Sequence, residues 1–245
     1  MKYLRTAISI IILLIIWLLW SNSVNNSLTA PSISQTLNAL KEIIVNKSSY
    51  IAFLGTITRF LLALLISTGL GVTFGFLSGL FSKFEHYIHP IVTILRTIPT
   101  VAIIIIIWMM VGANKSPLII TFLILFPISY QAILDGIKEL HQNEYMEVYR
   151  LDSKLSFIII YRVYFPLIIN YIKLALVQTV GLGIKVLVMA EFTAGTKKSI
   201  GTEIRTAQTM LEYDTIFAWT IILIILVVGI EVLLDKVKKS ILDKN

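Results

Sequence analysis

FLGTITRFLLALLISTGLGVTFGFLSGLF, residues Phe53–Phe81, runs for 29 residues with one charged side chain, Arg59. A helix rises about 1.5 Å per residue, so roughly 20 residues cross the ~30 Å hydrocarbon layer of a bilayer. The run is long enough and apolar enough to be a membrane span. It also carries Gly71, Gly75 and Gly79 at four-residue intervals. Such a spacing returns to one helix face, and the resulting small-residue stripe lets a second helix approach closely. Helix packing is the role the stripe predicts.

The rest of the chain follows this pattern. Of its 245 residues 57% are hydrophobic and only 14% charged, with a mean hydropathy of +0.86. Backbone polar groups in lipid must be satisfied within each helix. The expected fold class is therefore an all-α polytopic membrane protein, one domain over residues 1–245. Six spans are expected: Leu4–Trp20, Phe53–Phe81, Ile88–Val111, Pro117–Leu134 with a kink at Pro127, Pro166–Met189 and Ile216–Leu234. The first, basic at Lys2 and Arg5, has the look of a signal peptide. No A-x-A site follows it, and Pro31 opposes cleavage after Ala30, so it reads as a retained span. ISQTLNALKEIIV reads as an amphipathic helix on the outer surface. Tyr50, Tyr87 and Trp219, near span ends, suit an interfacial belt.

The formal charge of +7 is scattered around spans and forms no nucleic-acid groove. With the N-terminus inside, thirteen Lys and Arg lie at or toward the cytoplasm and seven toward the outside, while Lys185 stays within a span. Cytoplasmic loops carry the cation excess, so both termini are expected in the cytoplasm. The chain has no cysteine, which removes disulfides, thiolate catalysis and cysteine-based zinc sites. His86, His89 and His141 have no third ligand at a suitable spacing for a metal.

That orientation places the charged loop of about residues 135–165 in the cytoplasm. Its core, EVYRLDSKLSFIIIYRVYFP (Glu147–Pro166), is a polar insert whose patterning lipid insertion does not require. Residues Glu139–Leu151 can form one short helix with Glu139, Glu144 and Glu147 as charged handles, and Arg150 is a further candidate for coupling. Asp152 or Ser153 can cap a second short helix, and Pro166 suits the first turn of the next span. Glu147, Ser153 and the Val163-x-Phe165-Pro166 end keep a spacing that resembles the coupling loop of ABC-importer permeases. That family pattern reads Glu-Ala-Ala, three residues, Gly, nine residues, Ile-x-Leu-Pro. Val148 and Tyr149 stand for the alanines and Ser153 for the glycine.

The resemblance extends over about Gly55 through Lys239. LRTIPTVA (Leu95–Ala102) and VLVMAEF (Val186–Phe192) are similar to segments of the permease subfamily that imports nitrate, sulfonates, taurine and bicarbonate, some of whose relatives carry thiamine-precursor pyrimidines. It implies a type I ABC-importer permease in the bacterial inner membrane, working as a homodimer. Implied partners are a cytoplasmic ATPase dimer, which binds ATP and Mg, and an extracytoplasmic substrate-binding protein. No Gly-x4-Gly-Lys-Ser/Thr phosphate loop occurs in the chain, so ATP hydrolysis is assigned to the partner and the chain itself is expected to be no enzyme.

An ionisable side chain in a span is a functional candidate. Arg96, with Pro99 just after it, reads either as a pathway or gate position or as a snorkelling arginine. Glu191 matches the family's acidic position and suits an outer gate or a structural hydrogen bond. Lys185 lies six residues from Glu191, a spacing that predicts no direct pair; it either favours an anion or pairs with another helix. Arg59 and Lys173 are expected to snorkel or to lie at the interface. The outer loop Thr193–Asp214 is long enough to touch a partner. The rival reading, an ion-gradient carrier, would need inverted repeats and broken midplane helices. An intramembrane enzyme would need a His-Glu-x-x-His, G-x-S-x-G or paired-carboxylate motif, and a vitamin-transport coupling subunit two Ala-Arg-Gly motifs. None of these is found.

Overall fold

The apolar runs become helices, and the polar intervals supply the caps that start and stop them. The computed structural model describes residues 2–24, 26, 29–141, 162 and 164–242, with side chains from residue 8 to residue 234. Among the described residues there are nine α-helices: α1 (Lys2–Val24), α2 (Ile33–Val45), α3 (Lys47–Leu80), α4 (Ser82–Thr97), α5 (Thr100–Val111), α6 (Ser116–His141), α7 (Phe165–Ala194), α8 (Ile200–Met210) and α9 (Tyr213–Leu242). Four of them, α3, α6, α7 and α9, are long and apolar enough to cross a membrane; α4 and α5 qualify together, and α1 is a shorter apolar helix over Ile8–Val24. The chain is an all-α polytopic membrane protein.

Local chemistry sets the boundaries. Ser32 starts α2 with a capping box: its hydroxyl accepts the Gln35 N–H at 3.3 Å, and the Gln35 side chain accepts the Ser32 N–H at 2.9 Å. Two otherwise orphaned donors are met this way. Asn46 caps α3 by accepting the Ser48 N–H at 3.0 Å. Pro166 falls in the first turn of α7, where its missing N–H removes no helical bond.

The bundle is organised around α6. More than half of its apolar window is buried, against 11% for α9 at the periphery. On one side α6 meets α3: Gly71 lies against Ser129 and Tyr130, Gly75 against the Tyr130 carbonyl, and Gly79 against Ile137. A Cβ at any of these three would overlap α6. Tyr130 donates across this seam to Ser78 Oγ at 3.0 Å. On the other side Gly136 of α6 receives the Tyr171 ring of α7. Phe60, Leu64, Leu125 and Val180 form a core on which Leu223 and Val227 of α9 pack.

Chain direction gives the bundle two ends. The start of α3, the α5–α6 turn, the end of α7 and all of α8 meet at one. The end of α3, the start of α4, the end of α6 and the start of α7 meet at the other.

Four expectations are corrected. The third span, Ile88–Val111, is not one helix: α4 and α5 meet at 101°. Pro99 lacks the N–H that would bond the Leu95 carbonyl, and it holds Ile98 extended at φ −67, ψ 130. The fourth span continues past Leu134 to His141, so the residues from Asp135 to His141 extend that span and do not belong to a separate loop. The outer loop after Thr193 contains α8, capped by Ser199 accepting the Thr202 N–H at 3.2 Å. Trp219 is no interfacial belt residue, being buried at 1% exposure, whereas Tyr50 and Tyr87 are exposed.

Candidate functional site

Glu191 lies one turn before the end of α7 and is wholly buried. Its Oε1 accepts from Arg59 Nη1 at 2.6 Å; its Oε2 accepts from Thr56 Oγ1 at 2.8 Å and from the Gly201 N–H at 3.4 Å. Thr56 Oγ1 in turn accepts the Ile200 N–H at 2.9 Å. Thr56 and Arg59 are i,i+3 neighbours on α3, so one helix face offers a hydroxyl and a guanidinium to the same carboxylate. A buried charge is tolerated only when paired and hydrogen-bonded, and here both oxygens are engaged. Arg59 is therefore not a snorkelling residue: its side chain is 19% exposed and works inward.

The same guanidinium holds the chain beyond α7. Arg59 Nη2 donates to the Lys197 carbonyl at 2.8 Å and the Lys198 carbonyl at 3.2 Å. Gly55 makes room for the Lys198 carbonyl, and Gly201 packs directly on Val188, Glu191 and Phe192. Gly195 ends α7 at φ 68, a left-handed turn glycine adopts without strain, and Lys198 follows at φ 53. Thr196 Oγ1 donates to the Ala113 carbonyl at 2.7 Å, tying the turn to the α5–α6 connection. On α8, partial burial raises the Glu203 carboxyl above the usual carboxylate range. What this constellation does is fix α3, α7, α8 and the α5–α6 turn relative to one another.

Toward the other end, a cleft of about 390 Å³ opens between α4, α6 and α7, lined by Arg96, Gln131, Asp135, Glu139, Tyr171 and Gln178. Arg96 Nη1 donates to Gln131 Oε1 at 3.3 Å, and Gln131 Nε2 donates to Asp135 Oδ1 at 2.7 Å. Gln131, Asp135 and Glu139 recur every four residues, so they form one polar stripe on α6. Such a stripe on a membrane helix has to face protein or water. The cleft's size suits a small solute. Arg96 and Pro99 flank the elbow between α4 and α5 beside it.

Lys185 is elsewhere, exposed on a mainly apolar cleft of about 650 Å³ between α7, α8 and α9. Among the described residues it makes no ion pair with Glu191, in keeping with their spacing. Lys173 does not snorkel: its Nζ is buried and, among the described residues, has no hydrogen-bond partner. At the far end Lys138 Nζ donates to Glu85 Oε1 at 2.6 Å, and His141 Nε2 lies 3.1 Å from the Tyr164 hydroxyl. Of the loop residues expected to couple, Glu144, Glu147, Arg150, Asp152 and Ser153 lie outside the described residues.

Sequence reasoning named Arg96, Pro99, Lys185 and Glu191 as candidates and did not name Thr56, Gln131 or Asp135. Of its candidates the structure places Glu191 with Arg59 and Thr56, Arg96 with Gln131, and Lys185 apart from both. Arg59 has inward surroundings that it did not foresee. The available signal for Thr56 was its i,i+3 spacing to an arginine inside a span. For Gln131 and Asp135 it was an i,i+4 polar pair at the end of an apolar run.

No individual curated protein matches the chain. Its residues 71–242, most of its length and all of the segment from the middle of α3 into α9, match the binding-protein-dependent transport system inner membrane components, and the chain belongs to that family.

Proposed function

We propose that this chain, a permease component of an ABC importer by its family, lines the solute pathway and couples it to a separate cytoplasmic ATPase through the loop around Glu147. The observation that carries the reading is that the family match, residues 71–242, takes in Glu147–Pro166. The loop's Glu, Ser and Val-x-Phe-Pro frame keeps the family spacing, and Pro166 opens α7. In this reading both termini and the loop are cytoplasmic, and the Glu191 end faces outward. Two copies enclose the pathway, with the Arg96–Gln131–Asp135 cleft on its inner half and Pro99 at its elbow. Glu191 holds the outer frame, and Lys185 sits outside it on the α7–α9 cleft. ATP and Mg bind the ATPase dimer, and solute arrives on an extracytoplasmic binding protein. The subfamily likeness favours a sulfonate, nitrate, bicarbonate or thiamine-precursor pyrimidine as cargo.

For ATP to move the permease, its two states must contact the ATPase differently, since a partner with no differential interaction shifts nothing. The loop is where that difference belongs. Coexpression with the ATPase encoded alongside tests it. Glu147→Arg combined with deletion of Leu151–Lys154 is expected to abolish copurification of the ATPase and ATP-dependent uptake. Intact assembly and uptake in that variant would remove the coupling role, and uptake that ignores ATPase loss but collapses with the proton gradient would make the chain a gradient-driven carrier.

A further inference from the structure

Two charges within the spans take no part in the frame around Glu191. Lys185 on α7 is exposed on the cleft of about 650 Å³ between α7, α8 and α9, with Val188, Leu223, Ile224 and Val227 among its walls. Glu231 on α9 is half-buried and is the one charged residue between Ile216 and Leu234. Among the described residues neither makes an ion pair or a hydrogen bond.

The two stand on one seam. Glu231 Oε1 comes to 3.5 Å from the point where a Cβ would stand on Gly181 of α7. Lys185 follows Gly181 by one turn of α7, and Val227, which shares the cleft wall with Lys185, precedes Glu231 by one turn of α9. Lysine and carboxylate are therefore offset by about one helical turn, ~5.4 Å along the seam. A lysine bridges such a rise when it pairs with a residue one turn away. The rotamers a helix favours lead it back toward the N-terminal turn, here that of Gly181, which interposes no side chain.

Depth decides what can neutralise them. Gly181 lies about 24 Å from the first residue of α7 and about 20 Å from its last, so the carboxylate beside it is near mid-span. Lys185 lies about 14 Å inside the α8 end, where a lipid headgroup reaches it only by thinning the bilayer. Ionised groups at that depth are costly until they meet an opposite charge, and their attraction is strong in a low dielectric. Of the spanning helices α9 is the least held, with 11% of its apolar window buried, so it is the one that can move.

We infer that Lys185 and Glu231 are the two halves of a latch between α7 and α9, open in this structure and closed as an ion pair in a second state, where α9 moves in and the cleft narrows. The latch stands on these two helices alone. Its use in transport rests on the importer reading, in which open and closed forms belong to different nucleotide states of the ATPase.

The cysteine-free chain lets the cleft be measured directly. Val188→Cys/Ile224→Cys places one thiol on each wall and leaves both charges intact. In the isolated permease in phosphatidylcholine nanodiscs, adding Lys185→Gln or Glu231→Gln is expected to lower oxidative cross-linking roughly threefold, and adding both to lower it no further. The exchange Lys185→Glu/Glu231→Lys is expected to recover at least half of the yield. If the exchanged chain fails to elute as folded protein on gel filtration, the Gln series decides. Unchanged yields in the single variants, losses that multiply in the double one, or a yield set by added phosphatidylglycerol and not by Glu231 would overturn the latch. With the ATPase bound, the yields of the nucleotide-free and vanadate-trapped complexes are expected to differ roughly threefold while the native pair is present, and to converge without it. Equal yields there would remove the latch from the transport cycle. ATP-dependent uptake by the unoxidised cysteine pair checks the importer reading separately, since its absence leaves the cross-linking series standing.

Discussion

Arg59 and Glu191 stand 132 residues apart in the chain and meet at 2.6 Å. The Glu191 carboxylate is fully buried while the Arg59 side chain keeps 19% exposure, so losing either partner strands a charge, but not equally. Removing one member of a buried pair typically costs about 3–5 kcal/mol, whereas replacing both with apolar groups costs much less. Glu191→Leu and Arg59→Leu are each expected to lower the unfolding temperature of the solubilised protein sharply. The double substitution should be less damaging than the sum, and strictly additive losses would show that the two do not act as a pair. The sequence exposed each residue as a charge in a span but not their meeting. Helical periodicity assigns a residue to a face, and nothing local says which distant face will lie opposite. The same blindness explains Lys173, expected at an interface and found with its ammonium buried.

At the level of helices, the glycine stripe and the prolines show where pattern suffices and where it does not. Gly71, Gly75 and Gly79 were legible because a four-residue period has one structural consequence, close approach of a partner. Gly69, on the same helix, has nothing within 4 Å of where a Cβ would stand. Gly75→Leu is therefore expected to cost at least the ~1–3 kcal/mol of an overpacked core, while Gly69→Ala should be neutral or stabilise by up to ~1 kcal/mol. Thermal melts of the two variants check this, and equal losses would refute the seam. Pro99 and Pro127 have the same local chemistry and opposite outcomes. The assigned helix α6 runs on through Pro127, gripped by α3 and α7 on both sides, and the chain bends at Pro99; yet α4, which buries only Val92, also runs on through Pro90, so burial alone does not decide the outcome. Pro99→Ala restores an amide for the Leu95 carbonyl and frees Ile98 to be helical. It is expected to straighten the elbow and depress uptake without preventing assembly with the ATPase, and wild-type uptake would remove the elbow from the mechanism. α8 escaped the sequence because IGTEIRTAQTM is polar, carries a glycine in its first turn and has no sustained apolar period. Its helix is set by the Ser199 cap and by Gly201 packing on α7.

For the molecule as a whole, the two ends are fastened by different physics, and the difference bears on how a lever could work. The α7–α8 end is joined by a buried carboxylate, a bridging arginine and a ring of side-chain bonds to backbone carbonyls. At the other end α4 and α6 are linked by Lys138–Glu85, with side chains 49% and 21% exposed. An ion pair so open to solvent contributes about 0–1 kcal/mol. The His141–Tyr164 contact adds one partly buried hydrogen bond between α6 and α7. Among the described residues the polar links named at this end are the more exposed ones, so local opening is expected to be easier there, as the proposed lever requires. Comparing the last turns of two helices removes helix-end effects from the test: the amides of residues 136–141 in α6 are expected to exchange with deuterium faster than those of residues 189–194 in α7. Binding only to the closed form of the first end, the ATPase should slow the α6 set in proportion to its occupancy and leave the α7 set unchanged. Equal protection of both ends in the isolated permease, or ATPase-induced protection confined to the α7 set, would place the moving part at the Glu191 end and leave the loop without a compliant joint to act through.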